Sequence, residues 1–263
     1  MLLIDATLPA LSAAGLSLDP ALALKWAKAL AALGVSRVKR PREPLVASDA
    51  LYGLDGVFRG DYPSLFKKLR RLGPLEMVFG DERGWATALA ASWLEEGGSG
   101  VVCSLVGVGG LPALEQLRLI LHLSGRMLLP KLGRELQALG QLFEELSGRE
   151  LDLFQPVLGR GLFAGEAGVH VDSWPKDPTL YEPFGPEMVG ARRVLAIGRH
   201  SGQGALRLKC LQLGLSCPRA SLPSLLRAVR AKAAELERSL TDAEFAELTQ
   251  ASSGGQASRG GQA

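Results

Sequence analysis

A chain of 263 residues that is 47% hydrophobic and 22% charged is long and apolar enough to bury a real core. A formal net charge of +3 is too small to argue for nucleic acid or a membrane surface as a partner. Asp5 interrupts the opening apolar run, no stretch approaches the roughly 18 apolar residues of a membrane span, and three cysteines cannot build a disulfide framework. The chain is therefore expected to be cytoplasmic, with Cys103, Cys210 and Cys217 reduced.

In chain order, residues 2–8 read as a strand running into a loop. Asp19-Pro20 then opens a helix that ends at Leu33, with Gly34 just beyond it. Residues 35–39 read as a second strand and 40–55 as a connection. Residues 56–60 read as a third strand, followed by the basic amphipathic helix YPSLFKKLRRLG. LEMVF (75–79) is a fourth strand, GWATALAASWLEEG a helix, and VVCSLVGVGG (101–110) a fifth strand before the helix PALEQLRLILHL. This alternation with near-continuous apolar strands predicts a parallel sheet with helical crossovers. Five βα units cannot close an eight-stranded barrel, which takes about 250 residues by itself.

The second half reads differently. A helix over 130–147 leads into a glycine- and proline-rich stretch over 151–204, and apolar residues at Leu225, Leu226, Val229, Ala233 and Leu236 mark a later helix. Thr241 followed by Glu244 is a capping-box pattern that starts another helix. The low-complexity tail over 251–263 is expected to be disordered.

Two of the three histidines, His170 and His200, fall in the glycine-rich part, and Tyr181 lies eleven residues after His170. On such a scaffold His170 and Tyr181 suit general acid–base work near neutral pH; they equally suit a hydrogen-bonded, packed loop. The basic cluster Lys67, Lys68, Arg70, Arg71 reads as the solvated face of a helix, and the run Arg37, Lys39, Arg40, Arg42 lacks interleaved aromatics. VGVGG (106–110) lacks the spacing of a dinucleotide loop.

The stretch EAGVHVDSWPKDPTLYEPFGPEMVG (166–190) with GRHSG (198–202) resembles the linker subdomain of the homocitrate synthase / 2-isopropylmalate synthase family, in particular the nitrogen-fixation-type homocitrate synthases. LTDAEFAEL resembles the family's closing segment. LIDATL, ALKWAKALAALGVSRV, LEMVFGDERGWATA and VGVGG resemble parts of its barrel. The resemblance implies a TIM-type barrel that condenses acetyl-CoA with a 2-oxo acid around a divalent metal, in dimers where one subunit's linker covers the other's barrel. It carries over Glu166, His170 and Tyr181 as candidate catalytic residues, with Asp172 and His200 also in place.

The metal ligands are where the resemblance fails. The family's Arg falls on Pro9, its metal-binding Asp on Ala10, its Glu on Ser12, and its two metal-binding histidines on Val78 and Gly80. Asp81 and Glu82 stand where Asn-Asp would be, and as neighbours on a strand they diverge in direction. No metal or other cofactor is expected. The fold expected is α/β: an incomplete TIM-type barrel of about five βα units (1–125), lacking the family's third to fifth between Arg40 and Leu54. A linker subdomain with C-terminal helices (126–250) follows. The functional readings left open are a family member without independent activity, a non-catalytic partner in a homodimer or in a heterodimer with a full-length paralogue, and a decayed relic. Neither nucleic acid nor a membrane is expected as a partner.

Overall fold

The computed structural model describes residues 1–45, 51–52, 62–129, 132–166 and 177–254, with backbone alone at 51–52 and 253–254. The chain packs as two units, Met1–Leu162 with Glu187–Ala191, and Phe163–Pro186 with Arg192–Ala263.

The first unit is built on a parallel sheet of β1 (Leu2–Asp5), β2 (Arg37–Val38), β3 (Leu51–Tyr52), β4 (Glu76–Val78) and β5 (Gly100–Cys103), in the order β2-β1-β5-β4-β3. Read from the β3 edge, the order is 3-4-5-1-2, the chain order shifted cyclically. Every step between sequential neighbours therefore advances in one direction, and right-handed crossovers then place the connecting helices on one face. A doubly wound sheet would reverse direction partway.

Register and packing agree with that. Leu3, Met77 and Val101 share one face and are fully buried. On the same side α2 (Pro20–Ala32) sends Trp26 to Asp5, and Phe66 of α3 (Tyr62–Arg70) packs edge-on against Phe79 and against Trp93 of α4 (Ala86–Glu95). The opposite face carries Ile4, Val78 and Val102, which cluster with Ala6 and Leu111 under half-buried Leu45. Arg37 reaches Glu76 at 3.7 Å across β1 and β5, as residues of one common face can do. Helix α5 (Leu114–Leu123) packs on α4, and α6 (Leu132–Ser147) packs on α2, where Phe143 meets Trp26 at 6.4 Å between ring centres.

Several sequence expectations are corrected. β1 ends at Asp5, and Thr7–Ala13 forms helix α1 in place of the end of a strand and a loop. Pro9 lies in its first turn, where its missing N–H costs nothing, and Ala and Leu fill the rest. The third strand is Leu51–Tyr52, inside the expected connection; the expected strand at 56–60 lies outside the described residues. β5 stops at Cys103, because Val106 takes a left-handed conformation (φ 49°) and the following residues turn. At the C-terminus helix runs to Gly254, across the first residues of the expected disordered tail; 255–263 lie outside the described residues.

Among its described residues the second unit holds a two-stranded parallel ribbon, β6 (Ala164–Gly165) with β7 (Val194–Leu195), and three α-helices: α7 (Gln203–Gln212), α8 (Leu222–Leu236) and α9 (Asp242–Gly254). Leu195, Ile197, Leu206, Leu225, Val229, Leu240 and Phe245 lie in its buried core. The capping box forms as the spacing predicts: Thr241 N–H donates to Glu244 Oε2 (2.8 Å) and Glu244 N–H to Thr241 Oγ1 (3.3 Å). Among the described residues no helix is long and apolar enough to cross a membrane.

Candidate functional site

Two places carry candidate chemistry. The first is the C-terminal end of the five-stranded sheet, where parallel α/β folds gather ligands. Here Asp5 is fully buried and turned toward the helices. It accepts hydrogen bonds from Thr7 Oγ1 (2.5 Å), Thr7 N–H (3.3 Å) and Trp26 Nε1 (2.9 Å). Burial pushes its carboxyl up to about 6, and these donors work against the rise. Thr7 Oγ1 in turn accepts from Leu105 N–H at 2.8 Å, tying the ends of β1 and β5 together.

Beside it Cys103 donates to the Ile4 carbonyl (3.6 Å), and burial holds its thiol well above the ordinary range. Glu115 of α5 is equally buried. Its Oε2 accepts from Val106 N–H at 2.9 Å, which holds the left-handed turn, while Oε1 finds no hydrogen-bond partner among the described residues; burial pushes this carboxyl up to about 7.

These groups do not make a divalent-cation site. The carboxylate of Asp5 is occupied by neutral donors. Ala10 is buried against Gly109, where an added Cβ would stand 3.0 Å from the Ala10 methyl. Val78 belongs to the apolar cluster over the open face of the sheet. At Gly80 an added Cβ would meet the Glu82 carboxylate at 2.6 Å, so no histidine fits without moving Glu82. Asp81 is used structurally, its Oδ1 accepting from Ala86 N–H at the start of α4 (2.9 Å). A hard cation needs several converging oxygens or nitrogens. Among the described residues no group of three or more His, Cys, Asp or Glu side chains converges in that way.

The second place is the loop region of the second unit. Glu166, directly after β6, accepts from His200 N–H (2.6 Å) and from Ser239 Oγ (2.9 Å). Ser201, fully buried, donates to the Glu166 carbonyl (3.5 Å) and accepts from Gly198 N–H (2.9 Å), and Arg230 donates to the Ser201 carbonyl (3.0 Å). Any side chain at Gly198 would strike the Glu166 carboxylate at 2.8 Å. Glu166 is thus the post around which 198–202 folds.

Tyr181 follows a single 3-10 turn (Pro178–Leu180) capped by Asp177 and is 47% exposed. The residues just after it are anchored by Glu182, which takes two hydrogen bonds from Arg193 Nε and one from Nη2 (2.7–3.2 Å), and by Phe184 packed edge-on to Phe163. His170 and Asp172 lie outside the described residues. His200 contributes its backbone N–H, and the residue itself is exposed. Sequence reasoning missed Ser239, Arg230 and Arg193, whose polar side chains carry no local signature, and also Glu115, which sits in an ordinary helical pattern.

Comparison with known proteins bears on this second region first. Residues 157–237 match the family model described as homocitrate synthase post-HMGL domain-like. The chain is 36% identical over 110 residues to "Homocitrate synthase, omega subunit" of Clostridium pasteurianum, covering 42% of this chain and 31% of that protein. It is 32% identical over 181 residues to "Homocitrate synthase 1" of Nostoc sp., covering 66% of this chain and 47% of that protein. It is 33% identical over 174 residues to "2-isopropylmalate synthase 2" of Caldanaerobacter subterraneus, covering 65% and 45%. The class is that of the homocitrate synthase post-HMGL domain, preceded in the chain by a parallel α/β unit. The chain belongs to the homocitrate synthase / 2-isopropylmalate synthase family, and it spans between a third and a half of the length of these relatives.

Proposed function

We propose that this chain is a non-catalytic subunit of a homocitrate-synthase-type assembly, paired with a full-length relative that carries the metal and the condensation of acetyl-CoA with a 2-oxo acid. The observation that carries the reading lies at the positions the resemblance assigns to the metal ligands: Ala10 is buried beside Gly109, Val78 lies in the Ile4–Val102 cluster, and Gly80 has no side chain to offer. A Claisen condensation of this kind needs a Lewis acid on the 2-oxo acid and a base for the acetyl methyl, and among the described residues no group of three or more His, Cys, Asp or Glu gathers to hold the metal.

The first unit is read as a barrel with three βα units missing. In support, the cyclic order 3-4-5-1-2 is what a closed ring of strands leaves when it is cut between β2 and β3, and the helices met above lie on one face. The second unit keeps what such a subunit would lend. His170 and Tyr181 serve a partner's site in trans, and Glu166 acts as a positioning residue for the 198–202 loop. The name of the Clostridium relative, a subunit, fits this reading.

The test is co-expression with a full-length paralogue from the same source. Co-elution at micromolar concentration is expected, with release of free CoA from acetyl-CoA and a 2-oxo acid only when the paralogue is present. Separate elution, or CoA release by this chain alone with Mg²⁺ or Mn²⁺, overturns the proposal.

A further inference from the structure

The cysteines of the second unit, expected as separate thiols, are brought together by the end of α7. Gly214 takes a left-handed φ of 64°. Leu215 N–H donates to the Cys210 carbonyl (2.8 Å) and Gly214 N–H to the Leu211 carbonyl (3.3 Å). This is a Schellman turn, which folds the chain back over the last turn of its helix. Cys217, two residues further on, returns to pack on the same core that buries Cys210, which brings the two sulfurs close enough to influence each other. Cys210 is 2% exposed, whereas Cys217 is half-buried and reachable from solvent. Cys103 belongs to the other unit.

We propose that Cys210 and Cys217 form a reversible dithiol–disulfide switch that takes its oxidising equivalents from a small disulfide such as glutathione disulfide. Cys217, as thiolate, attacks one sulfur of glutathione disulfide; that S–S bond breaks and one glutathione thiolate leaves. The Cys210 thiol then gives up its proton and attacks the Cys217 sulfur of the mixed disulfide, displacing the second glutathione. Two protein thiols are oxidised and one glutathione disulfide is reduced to two thiols. Burial and the neighbouring sulfur push the Cys210 thiol up to about 12, so the accessible Cys217 attacks first and the second step is the slower. The bridge would pin the α7–α8 connection. It would restrain α7 itself, whose Lys209 holds the Leu195 carbonyl of β7 (3.1 Å) and pairs with Asp242 of α9 (2.5 Å). This switch is independent of the subunit reading.

Both cysteines lie in one tryptic peptide, CLQLGLSCPR, bounded by Lys209 and Arg219. The full chain is equilibrated in glutathione redox buffers, folded or in strong urea, then acid-quenched, alkylated and digested. The expected result is a peptide two hydrogens lighter and unalkylated, with a bridging equilibrium constant at least about tenfold larger in the folded protein than in urea. The oxidised protein should also melt about 5 °C higher, a gain reversed by dithiothreitol and absent in Cys217→Ser. An equal or smaller constant in the folded state, or a reaction that stops at glutathione on Cys217, overturns the switch.

Discussion

The two candidate regions handle polar groups in opposite ways. At the strand ends of the first unit, Asp5 and Glu115 are buried in the structure and hold backbone and side-chain donors in place, while Ala10 and Val78 beside them are buried apolar contacts. In the second unit, polar groups knit loops together, through half-buried Glu166, buried Ser201, Arg230 and the Glu182–Arg193 pair. At the strand ends, apolar contacts at Ala10 and Val78 help to hold the backbone from the core side. A loop region has no comparable core, so it keeps its shape only by keeping its hydrogen bonds.

The comparison breaks first if the buried polar groups at the strand ends turn out to carry no structural weight. Trp26 is fully buried, donates to Asp5 and packs on Phe143. Trp26→Ala should lower the unfolding free energy of the first unit by about 4 kcal/mol in urea melts. Trp26→Phe should cost about 2 kcal/mol, because ring volume is largely kept while Asp5 loses a donor. A loss under about 1 kcal/mol for the alanine variant would mean that this end of the sheet is loosely held.

Proton linkage sharpens the same contrast. The Asp5 and Glu115 carboxyls lie at about 6 and about 7 in the folded chain, above their ordinary values of 3.8 and 4.5. The folded state therefore holds more protons than the unfolded chain between about pH 4 and 7. The stabilisation is complete below that window and is lost as pH rises through it. At about 1.4 kcal/mol per pH unit, Glu115 alone accounts for up to about 3 kcal/mol. Urea melts from pH 4 to pH 8 should show stability falling, and Glu115→Gln should flatten much of the slope. A first unit that gains stability toward pH 8 would contradict this account of the buried carboxylates.

In the second unit the matching change is Glu166→Ala, which strands His200 N–H and Ser239 Oγ. A loss of about 2 kcal/mol is expected. Gly198→Ala should cost a similar amount, and the double variant less than the sum, since both disturb one contact. Strict additivity would show that Glu166 does not organise the 198–202 loop.

What the chain's pattern discloses follows the range of each interaction. The parallel α/β character, the start of α2 at Asp19-Pro20 and the capping box of α9 rest on neighbours a few residues apart, and they are legible in the sequence. Helix α1 is not, because Pro9 reads as a breaker until the helix start is known to fall two residues earlier. β3 is two residues long, too short for any periodicity. Of the candidate site, Glu166 and Tyr181 stand out through a family resemblance. What Glu166 does depends on Ser239, 73 residues away, and no local pattern records that. The Cys210–Cys217 contact, likewise, follows from a left-handed glycine at 214 that reverses the chain.

The smallest expected effect tests whether the second unit's legible elements are also independent ones. Thr241 Oγ1 accepts from Glu244 N–H, and Glu244 returns the bond to Thr241 N–H while also meeting Arg238 at 2.7 Å. Thr241→Ala removes one half of the box and should lower stability by about 1 kcal/mol in urea melts. The Glu244 carboxylate, held down to about 2 chiefly by Arg238, stays ionised and keeps its own half through mildly acidic pH. Because α9 packs on α8 through Phe245, the loss should appear in the melt of the whole second unit and not as local fraying of α9. If amide exchange in α9 quickens while α8 is unchanged, the closing helix is a separate element, and the network around Glu166 stands without it.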